Sequence, residues 1–479
     1  MSRRHAADVF WSGLEAAVSA AFSFVSAFIV ARLVGPAEVG IGAAAVATHV
    51  LLWVAVNALF ADAIVQRSVV EEDAFSTAFT VSVGAGVVAA LLQAALGAPL
   101  AWSLDDPRLV AMSLLLALPL PLAGAAGPVQ GLLTRDRAYR LLAHRTLIGQ
   151  GLGTAAGVGA AIAGAGAWAL VLQQFVVSAA GAAALLVHCP QRPRWRISRS
   201  PLREMLVVGL PLTASTLVQH GRYRLFALLI AGTAGAASLG QVHMAFRLVD
   251  AVRELAFTAQ WRLMLPLLSE RQDDLPALHV ALDRSLAWSS LLAFPLCAAM
   301  TVTIQPLVAL LLGPVWAPSG AAALPLMALT VWLFLAFPAG VAVIARGEAR
   351  YTLAANVAGT LATVAAVLLL RPASPLDAVL VWLGAQAFVS PWILWANGRV
   401  LRLPALRPLR AGVPMLAAML VATLAGFALA ATDPPAICIA ERLLVVIAVA
   451  IPAALVLARG LTGPVAAVGG KMPLRGSES

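Results

Sequence analysis

The chain runs apolar for about twenty residues, breaks at an arginine, glycine or proline, and then does so again, fourteen times over. The segments are 10–31, 40–61, 75–101, 109–128, 146–165, 167–187, 205–231, 237–264, 284–304, 320–345, 352–370, 376–398, 411–431 and 441–458. About twenty apolar residues is the length that carries an α-helix across the hydrocarbon core of a bilayer. Composition agrees: 61% of the 479 residues are hydrophobic and 11% are charged, against roughly 45–50% and 25% in soluble domains. A water-soluble globular enzyme is excluded, and an all-α polytopic membrane protein of about 14 transmembrane helices is predicted.

The net charge of +10 raises the question of nucleic acid. Polytopic proteins, however, place cations in cytoplasmic loops, and the distribution here follows that rule. Of the 32 Lys and Arg residues, 22 fall on alternate connections, with clusters at Arg135–Arg145, Arg192–Arg203 and Arg399–Arg410. The opposite connections hold only Arg32, Arg108, Arg371 and Arg442. This asymmetry predicts both termini in the cytoplasm and no nucleic-acid partner. The apolar run Val9–Val30 follows Arg3-Arg4 and contains Glu15, and is read as an uncleaved first membrane helix rather than a signal peptide. Cys189, Cys297 and Cys438 are too dispersed for a disulfide framework or a zinc site, so neither cofactor nor metal is expected.

No connection exceeds about twenty residues, which leaves no room for a soluble catalytic or ATP-binding domain. A transporter rather than an enzyme is therefore expected. The basic stretch 191–204 divides the chain into an N-terminal membrane lobe, 1–190, and a second lobe, 205–398, followed by two extra helices and a cytoplasmic tail over 399–479. An internal match supports the division: Gly35-Pro36-Ala37-Glu38-Val39-Gly40 reappears as Gly235-Ala236-Ala237-Ser238-Leu239-Gly240. Repeated halves with a binding site where they meet are a common build of secondary transporters.

Several motifs have structural readings. Gly149, Gly153 and Gly157 have small-xxx-small spacing inside an apolar helix, which predicts close helix packing, not a phosphate loop. Glu71-Glu72-Asp73, Asp105-Asp106 and Asp273-Asp274 stand beside helix starts, where the dipole favours acids. Charges inside spans are different, because each costs roughly 2.5–3.5 kcal/mol at the bilayer centre on insertion scales. The seventh helix carries His220, Arg222 and Arg224, with His220 and Arg224 on one face and Arg222 turned away; no acid lies within that span. The eighth carries His243, Arg247, Asp250, Arg253 and Glu254, whose i, i+3 and i, i+4 spacings allow mutual neutralisation. Cavity-facing arginines are the expected reading for the seventh helix.

Ala31-Arg32-Leu33-Val34-Gly35-Pro36-Ala37-Glu38-Val39-Gly40, Val65-Gln66-Arg67, Gly166-Ala167-Trp168-Ala169-Leu170-Val171, Gly209-Leu210-Pro211-Leu212 and Leu312-Gly313-Pro314-Val315-Trp316 resemble, in order and spacing, the polysaccharide-transport family of oligosaccharide flippases, particularly exporters of the colanic-acid type. The resemblance implies membership of the multidrug/oligosaccharidyl-lipid/polysaccharide exporter superfamily, with two pseudo-symmetric six-helix lobes around a cavity plus two C-terminal helices. It further implies a function: moving an undecaprenyl-diphosphate-linked oligosaccharide, such as an exopolysaccharide or O-antigen repeat unit, from the inner to the outer leaflet of the bacterial inner membrane. Polysaccharide polymerase and export machinery are the implied partners, and the chain is expected to work as a monomer. Many members carry an Asp-Asn pair where this chain has Phe226-Ala227, which leaves the seventh helix purely cationic. On this reading Arg222, Arg224, Arg247, Arg253 and His220 bind the diphosphate, and Glu15, Asp250 and Glu254 are the groups available for ion coupling. A multidrug/cation antiporter of the same superfamily is the alternative, and the excess of arginine over acid in helices seven and eight speaks against it.

Overall fold

A computed structural model describes residues 3–67, 69–404, 406–429 and 435–462. Among the described residues the chain forms α-helices joined by short turns, with no strand. In chain order they are α1 (Arg3–Val34), α2 (Pro36–Gln66), α3 (Glu72–Leu104), α4 (Arg108–Ala117), α5 (Leu120–Arg135), α6 (Tyr139–Ile162) and α7 (Trp168–Val187). There follow α8 (Arg199–Ser269), α9 (Leu275–Leu311), α10 (Ala317–Ala345), α11 (Ala349–Leu370), α12 (Pro375–Leu401), α13 (Val413–Ala428) and α14 (Pro435–Thr462). Eleven helical stretches among the described residues are long and apolar enough to cross a membrane. The chain is thus a multi-pass membrane protein.

Each apolar segment lies in a helix, but helices and segments do not correspond one to one. Pro119 starts α5 and breaks the fourth segment into α4 and α5; proline has no N–H to continue the ladder. Conversely, the seventh and eighth segments run on as the 71-residue α8, interrupted only at Gly235, whose φ of 80° and ψ of 173° reverse the chain direction between two limbs. Gly35 between α1 and α2 has nearly the same backbone, φ 87° and ψ 164°. Such angles are cheap only for a residue without Cβ.

The 200-residue repeat recurs in the packing. A Cβ on Gly40 would run into the carbonyl oxygen of Ala236, and one on Gly240 would run into that of Pro36. The two copies of the motif therefore meet each other, with backbone against backbone at both glycines. Membrane helices gain little from burying apolar side chains away from lipid, so small residues that allow close approach carry the association. The α6 glycines act in the same way: a Cβ at Gly149 would lie 3.1 Å from the Val177 oxygen, and one at Gly153 2.9 Å from the Gln173 oxygen of α7.

The acids at the start of α3 are taken up by the basic connection. Arg194 pairs with Glu72 at 3.0 Å and Arg196 with Asp73 at 3.1 Å. The backbone N–H groups of Arg194 and Ser198 also donate to Ser76 and Thr77.

The chain divides into two compact units. The first comprises 1–251, 311–323 and 353–389; the second comprises 252–310, 324–352 and 390–479. These boundaries differ from the sequence halves, because α8 through α12 are long and pass from one unit to the other. Within the first unit, Phe60, Ile64, Phe75, Leu133 and Met205 form one buried cluster, and Leu109, Met112, Leu116 and Val171 belong to another. In the second, Met264, Leu268, Leu278, Val341 and Leu401 pack together, and Arg407 holds Asp283 through two hydrogen bonds of 2.9 and 3.0 Å.

Candidate functional site

The first unit contains a cavity of about 200 Å³ lined by α1, α2, α6, α7 and both limbs of α8. The turn at Gly235 makes this possible. It folds the limb carrying Arg224 back beside the limb carrying His243 and Arg247, so all three side chains reach the same space. The remaining polar lining is Ser23 and Ser26 from α1, Gln150 from α6, and Gln173 and Gln174 from α7. Residues from both sides of the 191–204 connection thus share the cavity. Among the lining residues there is no carboxylate.

Hydrogen bonds hold several of these groups. Arg247 Nη1 donates to Ser23 Oγ at 2.9 Å. Gln173 Nε2 donates to Ser26 Oγ at 2.8 Å, and the Ser26 hydroxyl donates to the Ser23 carbonyl at 3.3 Å. Tyr223 Oη and His243 Nδ1 are 3.1 Å apart, and the Arg224 guanidinium lies 5.4 Å from the Tyr223 ring centre. Two cations in a space with hydroxyl and amide walls attract an anion, and guanidinium groups suit one with several acceptor oxygens.

The other candidate residues are not among those that line this cavity. Successive helical residues turn by about 100°, so Arg222 and Arg224 point about 200° apart. Arg222 instead faces α11 and α12, with its guanidinium carbon 5.0 Å from the Trp382 ring centre. A Cβ on Gly359 would come within 2.9 Å of the guanidinium, so a side chain there would make the arginine shift. His220 is exposed. Arg253 is half-buried and Glu254 exposed; both belong to the second unit and neither lines the cavity. Glu15 accepts a 2.6 Å hydrogen bond from Thr146 and lies near Arg145, away from the cavity. Asp250 is half-buried and interacts electrostatically with Tyr223 and Arg224.

Sequence reasoning overlooked the glutamines and serines. The signal was present: Gln173-Gln174 stands within the mostly apolar α7, and a polar amide within a span is informative for the same reason as a charge.

A second polar cluster joins the first turn of α2, the turn before α4 with its first residue, and the start of α7. Arg108 forms two hydrogen bonds to Glu38, 2.7 and 3.0 Å, and also holds Asp106 at 2.7 Å. Glu38 additionally accepts the Ala167 backbone N–H at 2.7 Å. The hydrogen bonds from Arg108 hold the Asp106 carboxyl below the usual carboxylate range.

Together the fold and the cavity define a class: a polytopic α-helical membrane protein with a small cationic compartment enclosed by helices of both sequence halves. Its sequence places it more narrowly. The chain belongs to the polysaccharide biosynthesis protein family, whose sequence pattern matches residues 29–321. It is 24% identical over 312 residues to the succinoglycan biosynthesis transport protein ExoT of Rhizobium meliloti (strain 1021). That match takes in 65% of this chain and spans 63% of the relative's length. Its fold is similar to that of the lipid II flippase MurJ in an inward closed conformation, with a TM-score of 0.72 and 11% identity over 95% of this chain and 98% of that one. It is also similar to an inward-facing multidrug resistance MATE family transporter of the MOP superfamily, with a TM-score of 0.61 and 15% identity over 80% and 95% of the two chains.

Proposed function

We propose that this protein is a flippase rather than an enzyme, and that it moves an oligosaccharide linked to undecaprenyl diphosphate from the inner to the outer leaflet of the bacterial inner membrane by alternating access. The observation that carries this reading is the cavity lining, which includes Arg224 and Arg247 and no carboxylate. Arg222, His220 and Arg253 lie elsewhere, so the diphosphate site rests on Arg224 and Arg247. The similarity to a succinoglycan transport protein and to a lipid II flippase supports a lipid-linked glycan as cargo. A cation antiporter needs acids in its cavity, and this lining favours anions instead. The excess of cations on alternate connections of the sequence, 22 of the 32, supports cytoplasmic termini.

At 100 mV each charge moved is worth about 2.3 kcal/mol. A diphosphate with roughly two negative charges leaving a negative-inside cell gains about 4.6 kcal/mol, enough for net outward movement without ATP. Asp250, close to Arg224, is the acid best placed to add ion coupling; neither Glu15 nor Glu254 is among the lining residues. Polymerase and export machinery outside would then consume the flipped lipid.

The test uses proteoliposomes and an outer-leaflet accessibility assay for a fluorescent lipid-linked oligosaccharide. Arg224→Gln/Arg247→Gln should abolish transport while the protein still incorporates normally. Unimpaired transport by that double variant would eliminate the site.

A further inference from the structure

One wall of the cavity presents an acceptor that a diphosphate cannot use. The hydrogen-bond directions that place it there follow from a single carbonyl. His49 is completely buried in α2. Its Nδ1 lies 2.8 Å from the carbonyl oxygen of Leu116, near the end of α4 where the helix breaks. A carbonyl only accepts, so Nδ1 carries a proton, and in the neutral imidazole that complete burial favours Nε2 offers a lone pair. Ser178 Oγ of α7 is 2.9 Å from that Nε2 and must donate its one hydrogen there. Gln174, one turn earlier on α7, lies 3.1 Å from the same Oγ. With the hydroxyl proton already committed, only the amide NH₂ of Gln174 can complete that contact. The orientation of the Gln174 amide is thereby settled, and its Oε1 remains as an acceptor on a residue that lines the cavity. Gln173 differs, because its Oε1 lies against Gly157 of α6, 2.8 Å from where a Cβ would stand.

An ionised diphosphate has acceptor oxygens only and would be repelled by a carbonyl. A sugar ring has hydroxyl donors. We infer that Gln174 Oε1 accepts a hydrogen bond from a hydroxyl of the first sugar beside the diphosphate, making Gln174 a specificity-determining residue that favours glycosylated over bare carrier lipid. Ser178 and His49 act through it as positioning residues. The inference rests on the diphosphate reading of Arg224 and Arg247, which places that sugar within the same compartment. The cavity volume, about 200 Å³, lies below the roughly 300–1,000 Å³ of whole small-molecule sites, which suits recognition of a headgroup fragment and not a whole oligosaccharide.

The full-length protein is titrated with undecaprenyl diphosphate and, separately, with undecaprenyl-diphosphate-glucose. The ratio of the two affinities is read from the same preparation, so a reduced folded fraction does not affect it. The native protein is expected to prefer the glycosylated lipid about tenfold, the equivalent of one hydrogen bond. Gln174→Leu should remove that preference, bringing the ratio of the two affinities to about one. Ser178→Ala, which releases the amide to rotate, should reduce the preference severalfold. An unchanged ratio in both variants, or an equal loss for both lipids, overturns the inference. Arg224→Gln separates the two readings: it should weaken both lipids alike, and if it weakens neither, the diphosphate assignment fails on its own account.

Discussion

Replacing Arg442 tests how this protein manages a proline inside a membrane helix. Pro306 interrupts α9 and provides no N–H for the carbonyl of Val302, four residues earlier. Arg442 of α14 supplies the missing donor, with Nη1 2.7 Å from the Val302 oxygen. Its side chain is otherwise enclosed beside Phe427, with the guanidinium 5.9 Å from that ring. Arg442→Met removes this donor, at a cost of about 1–3 kcal/mol where a buried group is left unsatisfied. Hydrogen bonds measured within membranes average nearer 0.6 kcal/mol and reach about 1.7, so about 1–1.5 kcal/mol is the expected loss. The same substitution also removes a buried cation, which offsets part of it. A double-mutant cycle with Pro306→Ala cancels that second contribution, because it is present in both backgrounds. An alanine in place of Pro306 would return an N–H to the Val302 carbonyl, and Arg442→Met should then cost about 1 kcal/mol less than in the native background. Equilibrium unfolding of all four proteins in mixed micelles gives the coupling. Additivity to within about 0.3 kcal/mol would refute the proposed role of Arg442.

Two further outcomes are expected. Gly240→Ala places a methyl group against the Pro36 carbonyl, and forcing that contact apart should cost about 3 kcal/mol, seen as a lower unfolding midpoint; Gly40→Ala should behave alike, because the contact is reciprocal. For Asp106, whose folded carboxyl titrates below its ordinary value, the ion pair adds stability above about pH 4 and loses it as pH falls through the folded value. Thermal melts of native protein and Asp106→Asn should therefore differ most near neutrality and converge below about pH 4, and a gap independent of pH would contradict the assignment.

Much of this molecule is legible in the linear chain. The apolar segments mark the helices because a bilayer imposes one length on anything that crosses it. The alternation of arginine-rich connections comes from the same constraint. The glycine motif was visible too, as a match at an offset of 200 residues; that its two copies meet, at 40 and 240, is seen only in the folded chain. Polar residues inside spans were also visible as costly.

What they do there depends on rotation and on neighbours distant in sequence. Arg222 and Arg224 look alike in the chain, yet one is held between Trp382 and Gly359 while the other reaches the cavity, because two residues on a helix face nearly opposite ways. Gln174 is an unremarked amide until Leu116, His49 and Ser178 from three helices assign its proton directions. The bilayer acts on every residue through its polarity alone, so its demands are written locally. Which side chain a helix turns inward, and which way its hydrogen bonds run, is decided by the partner across the interface, and that partner is found only in the folded protein.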